Sequence, residues 1–185
     1  MPPSAADESA DDGAAAGDGA SDAAGAAPGR PARREVRTAH LFVVGQFALL
    51  ALLVALRGRS DWPVPAALAA ACTVGAIVGV VVMVIAAASL GRGLTAVPLP
   101  NARAELRTGG LYRFSRHPIY GGLLLTAACL TVASGSALRL LVLGLLATLL
   151  TVKARWEEAR LARRFPGYAE YAARTPRFAG IPRRR

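Results

Sequence analysis

Between Val64 and Leu90 the chain runs for 27 residues without a charged side chain. As a helix at about 1.5 Å per residue, such a run is longer than a roughly 30 Å hydrocarbon core requires. Three more apolar segments accompany it. Thr38–Leu56 is uncharged when His40 is neutral, and the run opening at Pro118 carries no charge as far as Leu138. Within that run, Ser134-Gly135-Ser136 reads as a turn. The fourth segment, Leu140–Val152, has only 13 residues between charges. It spans a bilayer if Arg139 snorkels and the helix continues through Arg155. Otherwise the third and fourth segments form a shallow hairpin, and both arrangements stay open. The expected fold class is all-α: an integral membrane helical bundle with about four transmembrane helices.

Charge supports the membrane reading. With four crossings, one side of the membrane receives 19 of the 22 Lys and Arg residues, and the other receives only Arg57, Arg59 and Arg139. That asymmetry marks the richer side as cytoplasmic, with both termini there. A shallow terminal hairpin gives the same split. The expected location is a bacterial cell membrane. A basic body also raises nucleic-acid binding, but no motif for it occurs, so no nucleic-acid partner is expected.

Residues 1–36 are dominated by Ala, Gly, Asp and Pro, with six acids and no base before residue 30. Such a segment buries too little to offset its ordering entropy, so it reads as a disordered acidic tail and not as a signal peptide. The membrane domain is placed at 37–178 and a basic tail at 179–185. Beyond the fourth segment an amphipathic cytosolic helix is expected, carrying Trp156, Leu161 and Phe165 and broken by Pro166-Gly167. A further helical turn with Tyr168 and Tyr171 follows. Cys72 and Cys129 lie in apolar runs without metal-ligand spacing, so no metal is expected.

Chemistry concentrates in two polar clusters on the cytoplasmic side. The first is Gly109-Gly110-Leu111-Tyr112-Arg113-Phe114-Ser115-Arg116-His117-Pro118-Ile119-Tyr120-Gly121-Gly122. Pro118 suits a first helical turn, which puts His117 at the helix N-terminus, where free amides and the dipole favour an anion. With Arg113 and Arg116 nearby, this corner suits a carboxylate or phosphate. The second cluster runs from Lys153 to Tyr171 and contains Glu157-Glu158. A plain structural role is open for each: helix capping for His117, interfacial anchoring for Tyr112 and Tyr120, intrahelical ion pairing for the two acids.

These residues, in this order, resemble the isoprenylcysteine carboxyl methyltransferases, relatives of the membrane phospholipid methyltransferases. The likeness rests on Gly109-Gly110-Leu111-Tyr112, Arg116-His117-Pro118-Ile119-Tyr120-Gly121, and Glu157-Glu158 with Leu161, Phe165, Tyr168 and Tyr171. It covers roughly residues 89–178. The resemblance implies an enzyme that transfers methyl from S-adenosylmethionine to a lipophilic small molecule or lipid at the cytosolic membrane face. It implies cofactor contacts from Glu105, Leu106, Tyr112, His117, Pro118, Ile119, Tyr120 and Glu157. It places Lys153 where the family tends to have a substrate-facing Arg, and it makes Glu157, Lys153 and Arg116 the candidates for catalysis.

Elementary chemistry agrees. The cofactor offers a carboxylate, a ribose diol, an adenine and a sulfonium. A helix N-terminus with His117 and Arg116 suits the carboxylate, Glu157 suits the hydroxyls or the cation, and Tyr rings suit adenine or sulfonium. Direct displacement at the methyl needs alignment and exclusion of water, and no metal.

The chain departs from the family at Ala104, where His is frequent, and at Arg107, Lys153 and Phe165-Pro166. The acceptor atom therefore stays open among carboxylate, amine and thiol. Gly91-Arg92-Gly93 follows a membrane segment rather than a strand, against a dinucleotide-binding reading. Two other functions stand beside the enzyme: a small transporter subunit, which lacks an ionisable residue deep in the first three segments, and a non-catalytic membrane scaffold.

Overall fold

The computed structural model describes residues 33–56, 60–91 and 106–178. The chain divides into two units, Met1–Arg30 and Pro31–Arg185, and all the described residues belong to the second. They form five α-helices and one 3₁₀ turn, with no strand among them. The helices are α1 (Arg33–Ala55), α2 (Ala66–Leu90), α3 (Pro118–Ser134), α4 (Ala137–Arg164) and α5 (Tyr168–Arg174), with the 3₁₀ turn at Gly110–Arg113. Three of them, α1, α2 and α4, are long and apolar enough to cross a membrane. The fourth apolar helix, α3, has 17 residues and measures about 25 Å.

Local sequence explains the helix ends. Pro118 occupies the first turn of α3, where its missing N–H costs nothing. Gly135 closes that helix in the left-handed conformation, at φ 62°, which suits a residue without Cβ. Helix α1 begins at Arg33, inside the stretch expected to be tail. The separate amphipathic helix expected after the fourth segment is instead the continuation of α4, one helix of 28 residues. Strong helix formers (Ala, Arg, Glu, Leu, Lys) fill every position from Lys153 to Arg164 except Trp156, so nothing stops it before Phe165, whose conformation is made extended by Pro166. Its length, about 42 Å, exceeds a roughly 30 Å bilayer core and leaves a polar overhang of about two turns.

Each helix packs chiefly on one or two others, in the order α1, α4, α3, α2. The α2–α3 pair is antiparallel and closely approached. A Cβ on Gly79 would lie 2.7 Å from the Gly122 carbonyl oxygen, and one on Gly122 would lie 2.6 Å from that of Gly79. The Thr126 hydroxyl donates across the seam to the Ala76 carbonyl at 3.2 Å. Between α1, α3 and α4, Leu53, Ala127, Val142, Leu146 and Leu150 make the apolar core.

Pairings at the helix ends give the bundle two unlike poles. At one, Ala137 N–H donates to Asp61 Oδ2 at 2.7 Å and Asp61 N–H to the Gly135 carbonyl, tying the loop before α2 to the α3–α4 turn. At the other, the start of α1, the end of α2, the start of α3 and the overhang of α4 come together through Glu35–Arg160, Tyr112–Ala86 and His117–Glu158 contacts.

Candidate functional site

The second pole is where the polar residues converge. Tyr120, on the first turn of α3, donates its hydroxyl to Glu157 Oε2 at 3.1 Å. His117, the N-cap residue, stacks parallel on Tyr120 with ring centroids 5.3 Å apart. Its Nδ1 is 3.7 Å from the same Glu157 oxygen. Lys153, one turn before Glu157 on α4, is 3% exposed and holds its ammonium 5.0 Å from the Tyr120 ring centre. That ammonium donates to Gln46 Oε1 of α1 at 2.8 Å. Glu157 keeps a partly exposed carboxylate whose Oε1 has no partner among the described residues.

Glu158 does different work. It points about 100° around α4 from Glu157, into the corner beside the α3 N-terminus. His117 Nε2–H donates to its Oε1 at 3.1 Å, and Arg177 grips both oxygens at 2.9 and 2.8 Å. Arg116 approaches at 3.5 Å. The chain's own Glu158 carboxylate thus takes up the side chains of Arg116 and His117, the part of the expected anion corner that lies beside the α3 amides. The segment after α5 completes it. Arg116 and His117 donate their backbone N–H groups to the Pro176 and Arg177 carbonyls, both at 2.9 Å, and Ser115 Oγ donates to the Arg177 carbonyl at 3.1 Å.

Three phenols line the same pole. Tyr112 is buried in the 3₁₀ turn and donates to the Ala86 carbonyl at 3.4 Å. Tyr171 donates to the Tyr112 carbonyl at 2.6 Å. Burial pushes the Tyr112, Tyr168 and Tyr171 hydroxyls above the ordinary phenol value, Tyr171 to about 12, so all three stay protonated donors. The Tyr168 hydroxyl, buried beside the charges of Glu158 and Arg116, has no hydrogen-bond partner among the described residues.

Of the sequence-predicted residues, Arg116, His117, Tyr120, Lys153 and Glu157 come together. Pro118 faces another way: with Leu111, Phe114, Gly121, Leu125 and Phe178 it lines an apolar cleft of about 330 Å³ against α2. Ile119 and Leu106 are half-buried, Ile119 within the first turn of α3 and Leu106 at the start of the strand-free segment leading to the 3₁₀ turn. Glu105, like Ala104, lies outside the described residues. Sequence reasoning missed Gln46, whose signal was present: it is the only Gln in the chain and sits in an apolar run. It also missed the Arg177–Glu158 pair, which no spacing rule announces. Among the described residues no group of His, Cys, Asp or Glu is arranged to hold a metal ion.

A family model described as phospholipid methyltransferase matches residues 66–167, more than half of the chain. The match contains α2, α3, α4 and every candidate residue of the first cluster, and it leaves out α1 and α5. No curated protein and no solved structure matches the chain.

Proposed function

The chain belongs to the phospholipid methyltransferase family, and on that premise we propose that it moves the methyl group of S-adenosylmethionine to a lipophilic acceptor at the cytosolic face of a membrane. One observation carries the reading. Tyr120, His117, Lys153 and Glu157, from two helices, meet at the polar pole of an otherwise apolar bundle, and one Glu157 carboxylate oxygen has no partner among the described residues.

The donor set suits the cofactor. Glu157 Oε1 can accept from a ribose diol or face a sulfonium, and the adjoining Tyr120 ring offers a π-face to a cation or an adenine. The α3 amides ahead of Gly121, the first to bond back to the helix (to His117 O at 3.0 Å), suit a carboxylate. S-adenosylmethionine, when bound, supplies an activated methyl group on a sulfonium. The protein's own task is alignment and dryness. The Tyr120–Glu157 bond sets the carboxylate's direction. Glu158, Arg116 and Arg177 lock the His117 ring against Tyr120, which gives Arg116 a positioning role. Lys153, buried between Gln46 and Tyr120, faces the acceptor side. Lipid-facing α2 and α3 let an apolar acceptor arrive from the bilayer, and the cytosolic location of the site follows from the excess of Arg on its side of the chain.

The test is calorimetric titration of detergent-purified protein with S-adenosylmethionine. Glu157→Gln is expected to weaken binding about tenfold, worth about 1.4 kcal/mol, with thermal stability unchanged. Tyr120→Phe is expected to weaken it less. Wild-type affinity in both variants would remove the site. Incubation with methyl-labelled cofactor and a total lipid extract, followed by mass analysis, then identifies the acceptor.

A further inference from the structure

Helix α1 lies outside the family-matched residues, yet it reaches the site through one side chain. Gln46 Oε1 accepts from Lys153 Nζ at 2.8 Å across the α1–α4 seam. These are the only Gln and the only Lys in a chain whose other 21 basic residues are all Arg. Lys153 is 3% exposed. Every ion pair among the described residues is made by another base, so its closest partner is a neutral amide. A buried ammonium without a contacting carboxylate is costly, and such groups inside membrane proteins persist where function uses them. The groups facing it are Gln46 from α1, Tyr120 from α3 and, one turn along, Glu157 from α4.

We infer that Gln46 is a positioning residue: by accepting from Lys153 it keeps the ammonium charged and seated over Tyr120, and so sets how the site receives its acceptor. The amide suits this better than a carboxylate. It orients the amine through a hydrogen bond without cancelling its charge, leaving that charge free to act on whatever binds beside Tyr120. The inference rests on the methyl-transfer reading for its consequence, but not for the bond itself.

The single lysine makes the bond testable without turnover. The full-length protein in detergent is treated with an N-hydroxysuccinimide acetate ester, and acetylation of Lys153 is followed by peptide mass spectrometry. In Gln46→Met, a similarly shaped apolar side chain, the amine loses its acceptor and the neutral form is favoured, so acetylation rises about tenfold. In Gln46→Glu the ammonium gains an opposite charge and acetylation falls below wild type. In parallel, methyl-labelled S-adenosylmethionine is supplied with palmitic acid, hexadecylamine or hexadecanethiol as probe. For the probe turned over, Gln46→Met raises KM about tenfold with little change in kcat or cofactor affinity, and Gln46→Glu, which restores an acceptor for the ammonium, recovers part of the loss. Equal acetylation in all three proteins overturns the inference. So does a Gln46→Met protein that loses cofactor affinity, kcat and thermal stability together, which marks a structural role alone. If wild type methylates none of the probes or the lipid extract, the methyl-transfer reading falls, and the acetylation rates still decide whether Gln46 governs the lysine.

Discussion

The bundle's two main seams solve one problem in opposite ways. Lipid tails are as apolar as leucine, so helices in a bilayer gain little by burying apolar faces against each other. The α2–α3 seam compensates by closeness. Gly75, Gly79 and Gly122 admit neighbouring atoms where a Cβ would stand, and Thr126 bonds across the gap. The α1–α4 seam is sparser and relies on polar bonds concentrated toward one end. Glu35 meets Arg160 at 2.9 Å, Arg160 lies 3.1 Å over the Trp156 ring, Phe42 packs edge-on against Trp156, and Gln46 meets Lys153. The lesson is a division of labour. A seam made of small residues leaves nothing over for chemistry. A seam held by polar groups carries charge between the helices and can place it at a site.

Four substitutions or conditions probe that contrast, from the largest effect down. Gly79→Leu drives a side chain into the Gly122 backbone, which cannot yield. We expect loss of a monodisperse folded protein on size-exclusion chromatography, and a native-like elution profile would show that the close seam is dispensable. Glu158→Ala strips the carboxylate from Arg177, Arg116 and His117 at a buried pole. The expected cost is about 3 kcal/mol, read by chemical denaturation. Glu157→Gln, the neighbouring position, should cost almost none of this.

The third probe is alkaline pH. Tyr171 ionises at about pH 12 in the folded protein and near 10 when unfolded. The unfolded chain therefore loses its proton first, and the stability this phenol contributes is complete below pH 10 and drains away as pH rises toward 12, at about 1.4 kcal/mol per pH unit. Tyr112 and Tyr168 act in the same direction. Denaturation midpoints that stay level from pH 9 to 11 would contradict the burial of this pole. The smallest effect belongs to Glu35→Gln at the half-exposed tip of the α1–α4 seam. About 0.5 kcal/mol should be lost, and the loss should shrink in high salt.

Much of this was legible from residue order. Uninterrupted apolar runs gave α1 and α2, and Pro118 and Gly135 bounded α3. The His-Pro-x-Tyr run and the later Glu-Glu pair pointed to the pole where the polar side chains gather. The length of α4 was less legible, because charges after Val152 look like the end of a membrane segment although helix propensity carries on through them. The two adjacent acids could not be told apart, since their roles differ only by the turn of the helix that separates their directions.

From sequence alone came the helices, the membrane as their solvent, and the kinds of side chain gathered at one pole, because length, periodicity and end-capping are local properties. Only the tertiary structure decided the partners: Glu158 for His117 and Arg177, Glu157 for Tyr120, Gln46 for Lys153. Those pairs join residues 19 to 107 positions apart. Which side chains meet across such distances depends on how each helix is rotated and shifted against its neighbours, and packing of the whole bundle sets that.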